Sequence, residues 1–379
     1  MDEAVNSNGN LRVEPVRDFD GLDKYADSWN LLALNAPNQH PVLTHSWISA
    51  YLKTSLVSEE TWFCLFAFDK NELVGVLPLI AREHRLLRGR YLSLQTPVHP
   101  HTMAVDFLFR EEYGKRVIRL FAGYLNDLRP RVIRLKMNQV AYNSPALAIL
   151  KEGIEDVHAS YYPYSHVSII PVEGSFDEYK KRLSKKFISN LRRSGKKLEE
   201  LGNLSVTVIN EGGDARENLE SFAGIEQSGW KGRKGTAVKY MFRRFFEELV
   251  ENMGKREWLQ WYYLNSDNKR IAGYLTIPFG RSIFIFKTGY DEEYHACSPG
   301  SLLTEKMLEH IFSTGKYDVV NFFTDYEWLL RWNVEQKPYY NVLISFNNPV
   351  SLVLARIPSA IFARSQLVRK LKALVIRRN

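Results

Sequence analysis

The sequence predicts an α/β (α+β) protein of two similar units in tandem, each a mixed, mostly antiparallel sheet flanked by helices. Two hairpins at residues 62–79 and 258–277 support the repeat. Each opens with Trp, continues through an aromatic strand and a polar turn, and returns through a strand containing Gly-x-Leu. Two such hairpins in matching order indicate an internal duplication, although hairpins of this kind also resemble one another without common origin.

The periodicity of apolar residues predicts the remaining elements, and those of the second half are the clearer. In the first half we expect strands at 90–95, 103–109, 132–137 and 166–172 and helices at 18–34, 112–127 and 144–152. In the second half we expect strand 204–210, helices 214–228 and 239–253, hairpin 257–279, strand 282–289, helix 300–313, strand 317–323, a short helix at 325–332 and strand 339–347. We therefore divide the chain into a disordered segment 1–12, a first unit 13–173, a second unit 174–348 and a basic C-terminal helical segment 349–379.

Composition places the chain among ordinary globular proteins. Its 379 residues are 45% apolar and 25% charged, which is enough to form two domains with their own cores. Two cysteines exclude a disulfide scaffold and fit a reducing compartment. The N-terminal residues are too polar for a signal peptide, and no uncharged apolar run reaches the ~18 residues of a membrane span. We expect a cytoplasmic protein.

Positive charge is concentrated in two segments. Residues 180–197 contain nine Lys or Arg and no acid, and residues 349–379 contain seven and no acid. Since the whole chain is only +8, the remaining residues are net acidic. An anionic ligand is therefore expected to bind at a particular place and not through a general positive field. A solvated helix face is the alternative for residues 180–197.

A strand that leads into a helix start forms a candidate phosphate site at residues 283–303. The run Ile283–Phe286 is β-branched and aromatic, and apolar residues recur at helical spacing from Leu302 onward. The intervening Ser298-Pro299-Gly300-Ser301 suits a helix N-terminus, with the Ser298 hydroxyl as a cap. Free N–H groups and the helix dipole would then converge on one point, which favours pyrophosphate.

This segment resembles the acyl-CoA pyrophosphate loop of GNAT acetyltransferases, Arg/Gln-x-x-Gly-x-Gly/Ala. His295 stands in place of the Arg/Gln, Ser298 in place of the first glycine, and Gly300 keeps the last. With Trp230-Lys231, Tyr290-Asp291 and Asp325…Trp332, the chain resembles CelD/BcsL-type acetyltransferases, which are related to Fem-type aminoacyltransferases. The resemblance extends from about Pro41 to Trp332. It implies that Ser298, Pro299, Gly300, Ser301 and Leu302 bind the CoA pyrophosphate.

The resemblance also implies catalytic residues. Lys287 and Tyr290 would face the reacting carbonyl, Lys287 to polarise it and Tyr290 to supply a proton. A structural ion pair of Lys287 with Asp291 is the alternative. Asp325 is the first candidate for the base that orients the amine and Glu327 the second. Asp325 could instead cap the short helix that follows it.

The acceptor is expected to bind between the two units. By resemblance, Trp230 and Lys231 mark this cleft in the second unit, and Asp106 lines its first-unit side. His99-Pro100-His101 with Asp106 has ligand types that suit a metal, yet two histidines in a loop more often have no such function, and we expect no metal. Cys297 adjoins the phosphate site without an evident relay partner, so we do not expect it to be a nucleophile.

The function expected from this resemblance is transfer of an acyl group from acyl-CoA, such as acetyl-CoA, to an amine of a sugar or cell-envelope precursor, with the first unit degenerate. Two alternatives stay open: aminoacyl transfer from tRNA, and a non-catalytic accessory protein of polysaccharide synthesis. The basic amphipathic segment 349–379 could also contact an anionic membrane and bring the protein to lipid-linked acceptors, or pack as an ordinary terminal helix.

Overall fold

The computed structural model describes residues 11–86, 89–101, 104–210, 214–229, 232, 236, 238, 242–346 and 351. The predicted acceptor residues Trp230 and Lys231 lie outside the described residues, as do residues 1–10 and nearly all of the basic segment 349–379. Among the described residues, no helix is both long and apolar enough to cross a bilayer.

The described chain alternates between strands and helices. The strands are β1 (Leu11–Val16), β2 (Glu60–Asp69), β3 (Glu72–Leu86), β4 (Gly89–Gln95), β5 (Leu108–Phe109), β6 (Arg131–Ala141), β7 (Val157–Pro171), β8 (Leu204–Asn210), β9 (Gln260–Ser266), β10 (Lys269–Phe279), β11 (Ser282–Tyr290), β12 (Val319–Asn321) and β13 (Glu335–Phe346). The α-helices are α1 (Phe19–Lys24), α2 (Ala26–Leu34), α3 (His45–Thr54), α4 (Gly114–Asp127), α5 (Pro145–Glu152), α6 (Phe176–Lys181), α7 (Lys185–Glu199), α8 (Ala215–Ser228), α9 (Arg243–Gly254) and α10 (Pro299–Thr314). Short 3₁₀ helices occur at Pro41–Leu43, Glu111–Tyr113, Glu292–Cys297 and Glu327–Trp332.

The strands form one mixed, mostly antiparallel sheet in which both halves follow the same strand order from the edge inward. From one edge the order is β1-β2-β3-β4-β6-β13, and from the other it is β8-β9-β10-β11-β12-β7, while β5 pairs with β3. The two predicted hairpins, β2–β3 and β9–β10, therefore occupy equivalent positions. The predicted fold class, with its repeat, is confirmed.

The two halves exchange their last strands. β13 lies beside β6 of the first half, and β7 lies beside β12 of the second. β7 and β13 also pair with each other, from Glu335 opposite Ile169 to Phe346 opposite Val157. The unit boundary that we placed at residue 173 divides the chain, but the sheet continues across it.

A shared core also joins the halves on one face of the sheet. Trp47 of α3 is fully buried, and its ring lies 4.9 Å from Phe286 of β11 and 6.1 Å from Phe245 of α9. The two halves consequently do not have separate cores on this face.

Several element boundaries differ from the prediction. Leu11 and Arg12 belong to β1, opposite Asp69 and Phe68, so the disorder predicted for 1–12 is wrong for these two residues. The helix predicted at 18–34 is interrupted at Tyr25. The strand predicted at 103–109 is reduced to two residues because the stretch before it runs as buried, irregular chain.

The basic stretch 180–197 spans two helices, α6 and α7. Ser175 and Glu178 form a capping box at the start of α6. That helix ends at Lys181, and Ser184 caps α7 by accepting from the Phe187 N–H.

Asp106 is buried in the first half, away from solvent. Its carboxylate accepts from the Phe107 N–H at 2.7 Å and from the Ser144 hydroxyl, which in turn caps α5. Burial raises the pKa of Asp106 from its usual 3.8 to about 7, against the opposing effect of these hydrogen bonds. The structure thus gives Asp106 a role in folding, and its burial contradicts the prediction that it lines the acceptor cleft.

This pKa shift predicts a pH dependence of stability. The folded state holds the Asp106 proton more tightly than the unfolded state, so its contribution is fully present below about pH 4 and is lost as pH rises to about 7. Chemical denaturation should show Asp106→Asn losing less stability than wild type between pH 5 and pH 8. Asp318→Asn, which alters an exposed carboxylate paired with Arg281, should follow the wild-type slope. Equal slopes for Asp106→Asn and wild type would contradict the prediction.

Candidate functional site

A notch opens between β11 and β12. The two strands pair in parallel only from Ser282 opposite Val319 to Phe284 opposite Asn321, although β11 continues to Tyr290. Beyond β12, Phe323 adopts a left-handed conformation with φ 56° and the chain turns toward β7. The edge of β11 after Phe284 is therefore not paired with β12.

A β-bulge determines which face each β11 side chain takes. Leu275 of β10 lies opposite Lys287 and Thr276 opposite Ile285, so Phe286 is the extra residue. The Lys287 ammonium lies 5.3 Å from the Phe246 ring of α9, on the same face as Phe286. Tyr290 lies on the opposite face, beside α10. The prediction that Lys287 and Tyr290 face one carbonyl together is therefore corrected.

The N-terminus of α10 has an unusual cap. Ser298 is left-handed, with φ 49° and ψ 51°, and its hydroxyl makes no capping bond among the described residues. The predicted hydroxyl cap is wrong because a capping side chain normally requires extended backbone at that position. A left-handed residue here is consistent with the glycine of the GNAT pattern, since glycine adopts this conformation without steric cost.

Tyr274 of β10 holds the first turn of α10 against the sheet. Its hydroxyl donates to the Gly300 carbonyl at 2.8 Å and lies 2.7 Å from the Thr304 hydroxyl. The Ser301 and Leu302 N–H groups donate to the Ser298 carbonyl. These bonds fix the helix N-terminus at the end of β11.

A cavity of about 630 Å³ joins the notch to the α10 N-terminus. Of the predicted site residues, the cavity brings together Tyr290, Ser298, Pro299, Gly300, Ser301 and Glu327. Its other lining residues are Glu226, Gly229, Tyr274, Thr288, Gly289, His295, Tyr326 and Trp328. A site of this size beside a helix N-terminus can accept a phosphate-bearing ligand that continues into the notch.

Four predicted residues do not line this cavity. Leu302 packs into the core between α10 and the sheet. Asp106 is buried in the first half, and Lys287 lies on the far face of β11. Asp325 is exposed, and because Tyr326 and not Asp325 is the N-cap of the 3₁₀ helix Glu327–Trp332, the alternative capping role for Asp325 is not observed.

Lys287 pairs with a different acid from the one considered. Its Nζ lies 3.8 Å from Oε1 of Glu226, and both side chains are nearly buried, 10% and 1% exposed. Asp291 instead contacts Lys269 at 2.9 Å and accepts from the Glu293 N–H. The proposed Lys287–Asp291 ion pair is replaced by these two interactions.

Glu226 is the acid that sequence reasoning missed. It belongs to α8 at the spacing of the buried apolar residues Leu219, Phe222 and Ala223. An acid on the apolar stripe of a helix was the available signal, because such a residue becomes buried with its stripe. Thr288 and Gly289 were also missed, since nothing local distinguishes them from ordinary strand residues.

α7, which carries exposed cations, packs beside elements that border the cavity. α7 contacts both the 3₁₀ helix Glu292–Cys297 and α10, and Gly195 faces Leu302. Lys180 pairs with Glu305 at 2.7 Å. Within the described residues, the other eight cations of this stretch are exposed and have no carboxylate within 4 Å.

The two histidines considered as metal ligands lie between the halves of the chain. The His99 ring lies 4.4 Å from both Phe242 and Phe245. Burial, and then the charge of Lys287, lowers the pKa of His99 to about 4, so the ring is neutral. The described residues contain no group of three or more ligand side chains placed for a metal.

Comparisons with known proteins agree with this architecture. The model of the family described as "Acetyltransferase (GNAT) domain" matches residues 185–331, less than half of the chain. A search of curated proteins finds no match.

Solved structures show the fold over most of the chain. FemX is 12% identical, with a TM-score of 0.57 over 87% of this chain and 96% of FemX. A conserved protein of unknown function from Bacteroides thetaiotaomicron VPI-5482 is 14% identical, with a TM-score of 0.53 over 85% of this chain and 96% of its own. At these identities the likeness concerns the fold alone. Residues 185–331, which contain α7, α10 and the described lining residues of the cavity, match the model of the GNAT acetyltransferase domain, and the solved structures share the fold.

The space around Gly300 predicts the effect of placing a side chain at the N-terminus of α10. A side chain at Gly300 would first meet Tyr290 at 3.6 Å, an ordinary contact, so Gly300→Glu should leave the melting temperature nearly unchanged. Its carboxylate would repel a pyrophosphate, and calorimetry should show no acetyl-CoA binding. Gly123→Glu, at an open position of α4, is the matched control and should bind as wild type does. Wild-type affinity in Gly300→Glu would show that the phosphates bind elsewhere.

Proposed function

We propose that this protein is an N-acyltransferase of the CelD/BcsL type, which moves an acyl group from acyl-CoA to an amine of a sugar or of a cell-envelope polysaccharide precursor in the cytoplasm. One observation carries the proposal. β11 separates from β12 after Phe284 at the point where the N-terminus of α10 faces the same cavity. This arrangement provides, in one continuous space, a phosphate site and a strand edge that β12 does not cover.

The donor would occupy the α10 face of the sheet. Its pyrophosphate would meet the helix N-terminus at Ser298–Ser301, where the dipole favours negative charge. The pantetheine arm would extend along the edge of β11 that β12 does not cover and bring the thioester into the notch. Backbone N–H groups at that edge are suited to stabilise the oxyanion of the tetrahedral intermediate.

Tyr290 is proposed to protonate the leaving thiolate. It lines the cavity on the donor face, and burial followed by the charge of Glu292 raises the pKa of its hydroxyl. The hydroxyl therefore keeps its proton at neutral pH and can donate it as the carbon–sulfur bond breaks.

The acceptor would enter from the other side of the notch. Glu327 at the cavity wall, with the exposed Asp325 nearby in sequence, would attract its ammonium group. Trp230 and Lys231 remain proposed contacts of the acceptor, and segment 349–379 remains a proposed contact with an anionic membrane. No metal enters this mechanism.

The first half would not repeat this chemistry. β4 and β6, the counterparts of β11 and β12, stay paired from Tyr91 opposite Arg131 to Gln95 opposite Lys136. The Thr96 N–H then donates to the Lys136 carbonyl and continues the pairing. A thioester would find no open strand edge there, which supports a single catalytic unit.

A second candidate, aminoacyl transfer from tRNA, is favoured by the α7 surface. The exposed cations of α7 exceed what the phosphates of one CoA molecule can occupy, whereas an RNA strand offers a phosphate at each nucleotide. The donor site and notch would serve the same acyl transfer with a different carrier.

Calorimetry separates these functions. The leading proposal predicts that acetyl-CoA binds with one-to-one stoichiometry and competes with CoA, whereas charged tRNA does not displace it. Binding of charged tRNA alone would favour the second candidate. If neither ligand binds, a non-catalytic accessory protein becomes the better explanation.

The proposed proton donor gives a kinetic prediction. Tyr290→Phe should lower kcat by about 100-fold, the usual contribution of a positioned acid, with little change in the KM for acetyl-CoA. Tyr294→Phe removes the same hydroxyl four residues away, outside the cavity lining, and should retain kcat. The rate of thiol release should be measured for both variants. Equal rates for Tyr290→Phe and Tyr294→Phe would contradict the assignment of Tyr290.

A further inference from the structure

Glu226 is a nearly buried acid at the wall of the candidate cavity. It lies near the C-terminal end of α8 and lines the cavity together with Gly229, Thr288 and Gly289. A Cβ placed at Gly289 would lie 3.6 Å from Cβ of Glu226. Because Gly289 has no side chain, Glu226 borders the end of β11 directly.

Glu226 and the donor site lie on opposite faces of the sheet. α10 packs on one face with Ile283 and Ile285, whereas α8 and α9 share the other core with Phe284. The notch between β11 and β12 connects the two faces. A thioester that reaches the notch from the α10 side would therefore present its carbonyl to an acceptor arriving on the Glu226 side.

Two polar groups contact the nearly buried Glu226 side chain. The Lys287 ammonium lies 3.8 Å from Oε1, and the Val238 N–H donates to Oε2 at 3.4 Å. A buried carboxylate needs such partners to be retained in the folded state. Glu327 and His295 border the same cavity.

We propose that Glu226 is the catalytic residue that accepts the proton of the acceptor's ammonium group. The assignment rests on the proposed function and selects acceptors that are primary amines protonated in solution. Glu226 takes one proton from the ammonium, and the free amine attacks the thioester carbonyl to form the carbon–nitrogen bond. The carbon–sulfur bond breaks, Tyr290 protonates the thiolate, and the nitrogen returns a proton to Tyr290. Glu226 releases its proton to solvent, so amide, CoA thiol and one proton are the products.

The test compares two acceptors that differ in the proton to be removed. With acetyl-CoA as donor, glucosamine is largely an ammonium ion at pH 7, whereas hydroxylamine is already a free base. Glu226→Gln should lower kcat/KM for glucosamine about 100-fold and change that for hydroxylamine less than about threefold, after subtraction of the uncatalysed reaction. Raising the pH should partly restore glucosamine turnover in this variant, because the free amine becomes more abundant.

Each other outcome has a separate meaning. Equal losses for both acceptors would show that Glu226 only supports the fold, and no loss for either would exclude it from the reaction. A loss with Asp325→Asn but not with Glu226→Gln would assign the base to the residue predicted from sequence. In each of these cases the proposal for Glu226 is wrong. Asp318→Asn, an exposed acid-to-amide change, should match wild type with both amines.

The function itself is checked by the wild-type protein. If wild type binds acetyl-CoA but transfers to neither amine, acyl transfer to amines is contradicted, and the assignment of Glu226 falls with it. If wild type is active and Glu226→Gln shows the same preference between the two amines as wild type, the proposed function stands. Only the assignment of Glu226 then fails.

Discussion

The short pairing of β12 is the constraint on which the candidate site depends. β12 has three residues because the chain leaves the sheet at Phe323, and β7 holds it there. The Ser168 N–H donates to the Thr324 carbonyl, and the Phe322 N–H donates to the Ser168 carbonyl. Since β7 comes from the first half of the chain, the first half determines where the notch of the second half opens.

Strand exchange explains why the two halves act as one body. β13 completes the first half, β7 completes the second, and their long antiparallel pairing lies between them. The core around Trp47 and Phe286 adds apolar contact across the same boundary. The candidate site, whose described lining residues all come from the second half, can therefore keep its geometry with support from both halves.

Charge is distributed differently on the two sides of the notch. α7, with its exposed cations, packs against α10 on the side where we propose that the anionic donor binds. The carboxylate of Glu226 lies on the α8 side, where an ammonium is expected. Separate charge environments of this kind would guide donor and acceptor to different faces before they meet.

The mixed α/β class, the repeated hairpins, and the strand–turn–helix segment around residues 298–301 could all be predicted from the sequence. These features follow from short-range effects, namely the spacing of apolar residues, turn residues and helix-start chemistry. The face that Lys287 occupies could not be predicted, because the bulge at Phe286 depends on pairing with β10. The tertiary structure also decided that Lys287 meets Glu226 and not Asp291, and that Glu226 borders the cavity. Residues 61 positions apart in the chain can be joined only by packing α8 on β11, and no local pattern encodes that distance.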